Sequence, residues 1–299
     1  MTRILLLGAN GQVGQAVQAE RLPDGWTLGA YGRAECDITD HRGMQRVLRE
    51  FGPDLIINAA AMTNVDQCER ERAKAEDINF RAPANLAAQC AAMDVPLIHL
   101  STDYVFDGRD ALAPYTTDAQ MNPLSVYADT KMVGEIAVQH ELAWHVILRV
   151  SYVFSAFGIN LLTRALAMLA KNEEVKIVTD QMACLTYAPD LAKALIVMSD
   201  QILKGKHGGF GIFHYCGEPS GTRFEFVQAI MEAWAPYTDK RPRILPALSS
   251  DFPGFAERPA YSVLDCSKIR EIYGINQNPW RDGLKEAISI LHQQGKLPA

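Results

Sequence analysis

"RILLLGANGQVG", residues Arg3–Gly14, is the stretch that decides the fold. Four apolar residues, Ile4–Leu7, stop at Gly8, as a short parallel strand buried on both faces does. Gly8, Gly11 and Gly14 then recur every three residues, and Gln12–Arg21 reads as a helix. The spacing is G-x-x-G-x-x-G rather than the commoner G-x-G-x-x-G. Its physics is similar: glycines permit a tight turn and let backbone N–H groups approach a pyrophosphate at a helix start. Asn10, Gln12 and Val13 complete the expected cradle.

Outward from this unit, strands and helices alternate. Strands are expected at Thr27–Gly32, Asp54–Ala61, Pro96–Ser101 and His145–Val150. Helices are expected at His41–Phe51, Ala73–Met93 and Pro123–Leu142. Such alternation gives βαβ units with right-handed crossovers. The fold class is therefore α/β: a Rossmann-like, doubly wound parallel sheet with a smaller C-terminal substrate-binding lobe. Residues 1–150, with about 173–205, are assigned to the dinucleotide-binding domain. Residues 151–172 and 206–299 are assigned to the lobe, interleaved with it. The lobe includes "GIFHYC" (Gly211–Cys216), a helix from Arg223 and a Pro-rich stretch from Pro236 to Pro259.

The chain has 299 residues, 48% hydrophobic and 21% charged, enough to build a large core. A net charge of -6 argues against nucleic-acid binding. No apolar run reaches membrane-spanning length, and the N-terminus lacks a signal-peptide pattern, so a cytoplasmic protein is expected. The six cysteines are scattered without a C-x-x-C pair and read as reduced thiols. No metal site is expected: His99, His140, His145, His207 and His214 show no partner at ligand spacing.

Polar residues gather at the strand ends, where ligands bind in open α/β sheets. Strand two runs into "AYGRAECDITD". Arg33 stands where the 2′-phosphate of NADP would lie, favouring NADPH with NADH still usable. Asp37 and Ile38 are candidates for the adenine pocket. After strand three, "NAAAMTNVD" offers small Ala59, Ala60 and Ala61 for a flat cofactor, with Asn58 and Thr63 for its ribose or phosphates. After strand four comes "STDYVFDG" (Ser101–Gly108), then "SVYADTKMVGE" (Ser125–Glu135). Tyr127 and Lys131 are four apart, side by side on one helical face. A hydroxyl after strand four, from Ser101 or Thr102, then Tyr127 and Lys131 on the next helix, forms a Ser/Thr–Tyr–Lys constellation. An ammonium beside the phenol is expected to lower its pKa from about 10.

"GANGQVG", "DLIINAAAMTNVDQCE", "LIHLSTDYVFDG", "PYTTDAQMNPLSVYADTKMVGE", "DQMACLTYAPDLA" and "ERPAYSVLDCSKI" together span nearly the whole chain. In these the chain resembles the dTDP-4-dehydrorhamnose reductase family of the extended short-chain dehydrogenase/reductase superfamily. The resemblance implies NADPH-dependent reduction of the C4 ketone of a nucleotide-linked 4-dehydro-6-deoxy sugar. Thr102, Tyr127 and Lys131 would be catalytic, and Tyr127 and Lys131 would also meet the cofactor. Thr102, Asp103, Tyr104, Tyr152, Asn160 and Arg258 would bind the sugar nucleotide. The resemblance leaves room for a homodimer.

The chain departs from the family pattern at Ala128 (usually Gly), Tyr152 (commonly Trp), Ala183–Thr186 and the loop "SAFGIN". Two other readings share the motifs: a nucleotide-sugar epimerase or dehydratase, and a non-catalytic subunit resembling the regulatory subunit of methionine adenosyltransferase. The order Thr102-Asp103-Tyr104 lacks the Asp-Glu pair usual in dehydratases.

Overall fold

The computed structural model describes residues 1–109, 113–205, 209–254 and 256–298. His207 lies outside them. Strands β1 (Thr2–Leu7), β2 (Trp26–Tyr31), β3 (Leu55–Asn58), β4 (Leu97–Thr102), β5 (His145–Val150), β6 (Glu174–Val178), β7 (Gly211–Tyr215) and β8 (Arg243–Ala247) carry the framework. Six form one parallel sheet in the order β7-β5-β4-β3-β1-β2. The chain reverses direction across the sheet between β1 and β3. Their carboxyl ends therefore open a crevice in front of the glycine loop.

The continuous apolar runs follow from burial on both faces. Leu55–Asn58 is buried throughout, and so are Ile4–Leu7. One face packs on the helices Gln12–Ala19 and Ala188–Leu203, the other on His41–Phe51 and Ala82–Met93.

The strands divide the chain differently from the sequence reading. Gly211–Tyr215, expected in the lobe, is the sixth strand of the main sheet and pairs with β5. Conversely β6, expected in the sheet domain, pairs with β8. There it joins a separate core with the helices Leu161–Lys171, Arg223–Trp234 and Trp280–Gln293. Residues 263–275 return to the core of the main sheet.

The helix expected over Ala73–Met93 is interrupted. A helical turn, Arg72–Glu76, runs into a π-turn, Asp77–Arg81, and then the helix Ala82–Met93. The π-turn places buried Asn79 inward. Its amide holds the backbone of Met62 at both N–H (2.8 Å) and C=O (3.0 Å) and reaches Thr130 Oγ1 (3.2 Å). It thereby ties the loop after β3 to the helix Val126–Glu141. Gly134 makes this approach feasible, since a Cβ there would lie 2.1 Å from the Asn79 carbonyl oxygen.

Candidate active site

Gly8, Gly11 and Gly14 run from the end of β1 into the first turn of the helix Gln12–Ala19. Gly8 has φ +80°, and a Cβ there would meet the Ala59–Ala60 backbone at 2.7 Å. A Cβ on Gly14 would lie 2.3 Å from the Gly8 carbonyl oxygen. Gly11 starts the helix Gln12–Ala19 with no side-chain cap, so the first-turn N–H groups face the crevice free of a capping side chain. A cleft of about 1260 Å³ opens here. Asn10, Gly11, Gln12, Val13, Ala59, Ala61 and Thr63 line one end of it. Ser101 also lines it, with a buried hydroxyl that has no hydrogen-bond partner among the described residues. An uncapped helix start and an orphaned hydroxyl both fit a dinucleotide. Ala60 is not in the lining; its N–H donates to Asn58 Oδ1.

Arg33, Asp37 and Ile38 do not line the cleft either. Arg33 is exposed and bonds Asp37 (Nε to Oδ2, 3.2 Å). The Asp37 carboxylate also takes the Thr39 N–H and hydroxyl, bonds that hold its pKa down. Ile38 packs on the core beneath β1. Arg33 nonetheless adjoins the cleft end: a Cβ on Gly32 would lie 2.2 Å from the amide nitrogen of Asn10.

Thr102, Tyr127 and Lys131 converge on the same cleft. Ser125 caps the helix Val126–Glu141 by accepting from Ala128 N, and so sets the direction of its first turn. Thr102 ends β4; its hydroxyl donates to Asp103 Oδ1 (3.1 Å) and accepts from Tyr104 N (3.2 Å). The Tyr127 phenol is raised above its ordinary pKa by burial, with a hydrogen bond to Thr102 opposing. The expected lowering by Lys131 is not what this cleft shows. Lys131 Nζ is turned onto β4, 2.7 Å from the Leu100 carbonyl oxygen and 3.2 Å from His99 Nε2. Burial pushes the Lys131 ammonium down to about 8.

Asp103 is buried, and burial lifts its carboxyl to about 6. It accepts from Ser151 Oγ (2.8 Å), Ser262 Oγ (2.5 Å) and Thr102 Oγ1. It thus links β4 to the segment after β5 and to the C-terminal region, behind the hydroxyl of Thr102. The ring of Tyr104 lies edge-on to Tyr127 (6.0 Å) and to Tyr152 (6.2 Å). Tyr152 has φ +36°, the left-handed region that a Tyr rarely adopts. Asn160 borders the cleft, but its amide is spent. Its oxygen accepts from Leu162 N and Thr163 N, and its nitrogen donates to the Ser155 and Phe157 carbonyls. It shapes the loop and caps a helix rather than presenting donors to a ligand.

Arg223 also lines the cleft; its guanidinium lies 5.5 Å from the Tyr152 ring centre, and its Nε is buried without a partner among the described residues. Sequence reasoning overlooked Ser151 and Ser262. Among the described residues, no group of three or more His, Cys, Asp or Glu side chains is placed to hold a metal ion.

The family model described as "RmlD substrate binding domain" matches residues 1–293. The dTDP-4-dehydrorhamnose reductase of Aggregatibacter actinomycetemcomitans is 35% identical, covering 95% of this chain and 98% of that one. This chain belongs to the dTDP-4-dehydrorhamnose reductase family. Two solved members of the dTDP-4-dehydrorhamnose reductase family share its fold. The Clostridium acetobutylicum structure has TM-score 0.90 and 30% identity, covering 97% of this chain and 100% of that one. The Bacillus anthracis structure, in complex with NADP, has TM-score 0.87 and 30% identity over the same shares.

Proposed function

We propose that this chain reduces the C4 ketone of dTDP-4-dehydro-L-rhamnose to give dTDP-L-rhamnose, with NADPH as reductant. The observation that carries the reading is the convergence of Thr102, Tyr127 and Lys131 on one cleft with the glycine loop at its other end. When bound, the reduced nicotinamide supplies the hydride that attacks the ketone carbon. The first-turn N–H groups after Gly11 would hold the pyrophosphate, and Ser101, Thr63 and Lys131 would bond the rest of the cofactor, Lys131 after turning from β4. Thr102 and Tyr127 receive the ketone oxygen between them. Tyr127 gives its proton to that oxygen as charge develops. In the free cleft the Thr102 hydroxyl donates to Asp103, so it turns from Asp103 to donate to the ketone oxygen beside Tyr127. Lobe residues, among them Leu161, Arg223 and Arg258, line the cleft where the sugar nucleotide would sit.

Oxidation of NADPH in the presence of dTDP-, GDP- and CDP-linked 4-dehydro sugars, with no other protein added, tests the reading. Turnover confined to the dTDP sugar is expected; no turnover with any sugar defeats it and favours a binding subunit.

Arg258 is assigned to the substrate pyrophosphate. It lines the cleft, and Asp66 grips its Nη2 at 3.0 and 3.1 Å while Nη1 donates to the Ala256 carbonyl. A guanidinium has five N–H donors, so these bonds leave donors for phosphate oxygens. Arg258→Ala is expected to raise KM for the sugar nucleotide about tenfold, a loss of about 1.4 kcal/mol, with NADPH affinity unchanged. Weakened NADPH binding with an unchanged KM for the sugar would put Arg258 on the wrong ligand.

Arg33→Ala is expected to weaken NADPH binding by about tenfold and NADH binding hardly at all, because only NADPH carries the 2′-phosphate. Fluorescence titration with both cofactors reads the difference. Equal effects would leave Arg33 as a solvated partner of Asp37.

A further inference from the structure

Polar groups run in a line beneath the catalytic helix, and their donor directions can be fixed one after another. The Ala60 N–H donates to Asn58 Oδ1 at 3.1 Å, so the amide nitrogen of Asn58 is the atom that faces His99. That nitrogen lies 3.1 Å from His99 Nδ1. An amide nitrogen only donates, so Nδ1 accepts. Burial holds the His99 imidazole neutral, well below its ordinary pKa. A neutral imidazole that accepts at Nδ1 carries its proton on Nε2. The Nε2–H then points at Lys131 Nζ, 3.2 Å away. An ammonium has three donors and no acceptor, so it has no lone pair for this proton; an amine has one. The bond from Nζ to the Leu100 carbonyl oxygen suits either form. Asn58, His99 and Lys131 are all buried, so solvent does not relieve the mismatch.

We propose that His99 is a positioning residue for Lys131, holding it as a neutral amine against β4 in the free cleft, so that cofactor binding is coupled to proton uptake at Nζ. The proposal rests on the reading of this cleft as an NADP(H) site. The other groups facing Lys131 do not reverse it. Glu135, one turn along the same helix, favours the ammonium, but Arg149 of β5 holds that carboxylate at 2.7–3.1 Å. The Tyr127 phenol is kept protonated by its burial. Burial of Lys131 itself acts in the same direction as His99.

An anionic dinucleotide entering the cleft favours the charged form. The amine then takes a proton from solvent, R–NH2 + H⁺ giving R–NH3⁺. The new ammonium is repelled by the Nε2–H and leaves β4 for the cleft. At pH above about 8, where the free amine is mostly neutral, the charge that makes Tyr127 a better acid is thereby formed only when the cofactor is in place.

Calorimetric titration of the full chain with NADPH, at pH about 8.5 in two buffers of different ionisation enthalpy, tests this. The 2′-phosphate, with a second pKa near 6, does not titrate there. Uptake of more than about half a proton per chain is expected, since an amine of pKa near 8 is mostly neutral at that pH. Asn58→Asp keeps an acceptor for the Ala60 N–H but replaces the donor that faces Nδ1. His99 then carries its proton on Nδ1, and Nε2 accepts from a permanent ammonium. Uptake in this variant is expected to fall below about a tenth of a proton, and Lys131→Met should lose it too. His99→Gln provides a second route, because its carbonyl oxygen can turn to Nζ and the same loss is expected. Wild-type binding without proton uptake overturns the proposal. So does full uptake in Asn58→Asp and His99→Gln, or in Lys131→Met. Absence of any NADPH binding by the wild type would defeat the cofactor reading as well, which separates the two failures.

Discussion

Tyr127→Phe is expected to cut turnover by at least about a hundredfold while NADPH binding and folding stay near wild type. The phenol is the group placed to give a proton to the ketone oxygen, and removing one oxygen atom removes that proton alone. The ring's packing survives, because its edge-on contact with Tyr104 is made by carbon and hydrogen. Thr102 keeps its bonds to Asp103 and to the Tyr104 N–H, so the substrate's other hydroxyl partner stays oriented. The loss should therefore fall on kcat rather than on the KM of the sugar nucleotide. Single-turnover measurements with preloaded NADPH check this directly. A variant with turnover within about threefold of wild type would remove Tyr127 from proton donation and leave Thr102, backed by Asp103, as the acid.

How much of this site the sequence shows depends on whether its causes are local. The glycine loop was legible because three glycines, a strand before and a helix after are all read within Arg3–Ala19. The Tyr127–Lys131 pairing was legible because helical spacing alone puts residues four apart on one face. What failed was non-local. Gly211–Tyr215 reads as one more apolar run, and nothing within it says that it pairs with β5 rather than with a strand of the lobe. The π-turn at Asp77–Arg81 leaves the Ala-rich pattern intact, and only the buried partners of Asn79 show why the helix widens there. Asp103 reads as a ligand group until Ser151 and Ser262, from distant parts of the chain, are seen to occupy it. Asn160 reads likewise until its cap is seen. His99 on a buried strand gives no sign of Asn58 on one side and Lys131 on the other.

The same helical face carries a third member, and it sets the largest stability effect. Tyr127, Lys131 and Glu135 follow at four-residue steps along Val126–Glu141, on one helical face. Lys131 bonds β4 at Leu100, and Glu135 bonds β5 at Arg149. The Glu135–Arg149 pair is buried to within 1% exposure on both sides, with three bonds between 2.7 and 3.1 Å. Arg149 also lies over the Phe106 ring at 5.2 Å. Taking Glu135 away leaves a guanidinium in the core with no carboxylate, which costs far more than the pair contributes. Glu135→Ala is therefore expected to lower unfolding free energy by about 3–5 kcal/mol in urea denaturation. The double variant Glu135→Leu with Arg149→Met removes both charges together and should lose much less. A single-variant loss under about 1 kcal/mol would show that water or another group neutralises Arg149. The consequence reaches the chemistry, because the helix is held to the sheet at these two points. With the Glu135 tie cut, the turn bearing Tyr127 and Lys131 is held by Ser125, Asn79 and the Lys131–Leu100 bond. Folded Glu135→Ala protein should then show a lower kcat at conditions where far-ultraviolet circular dichroism is unchanged.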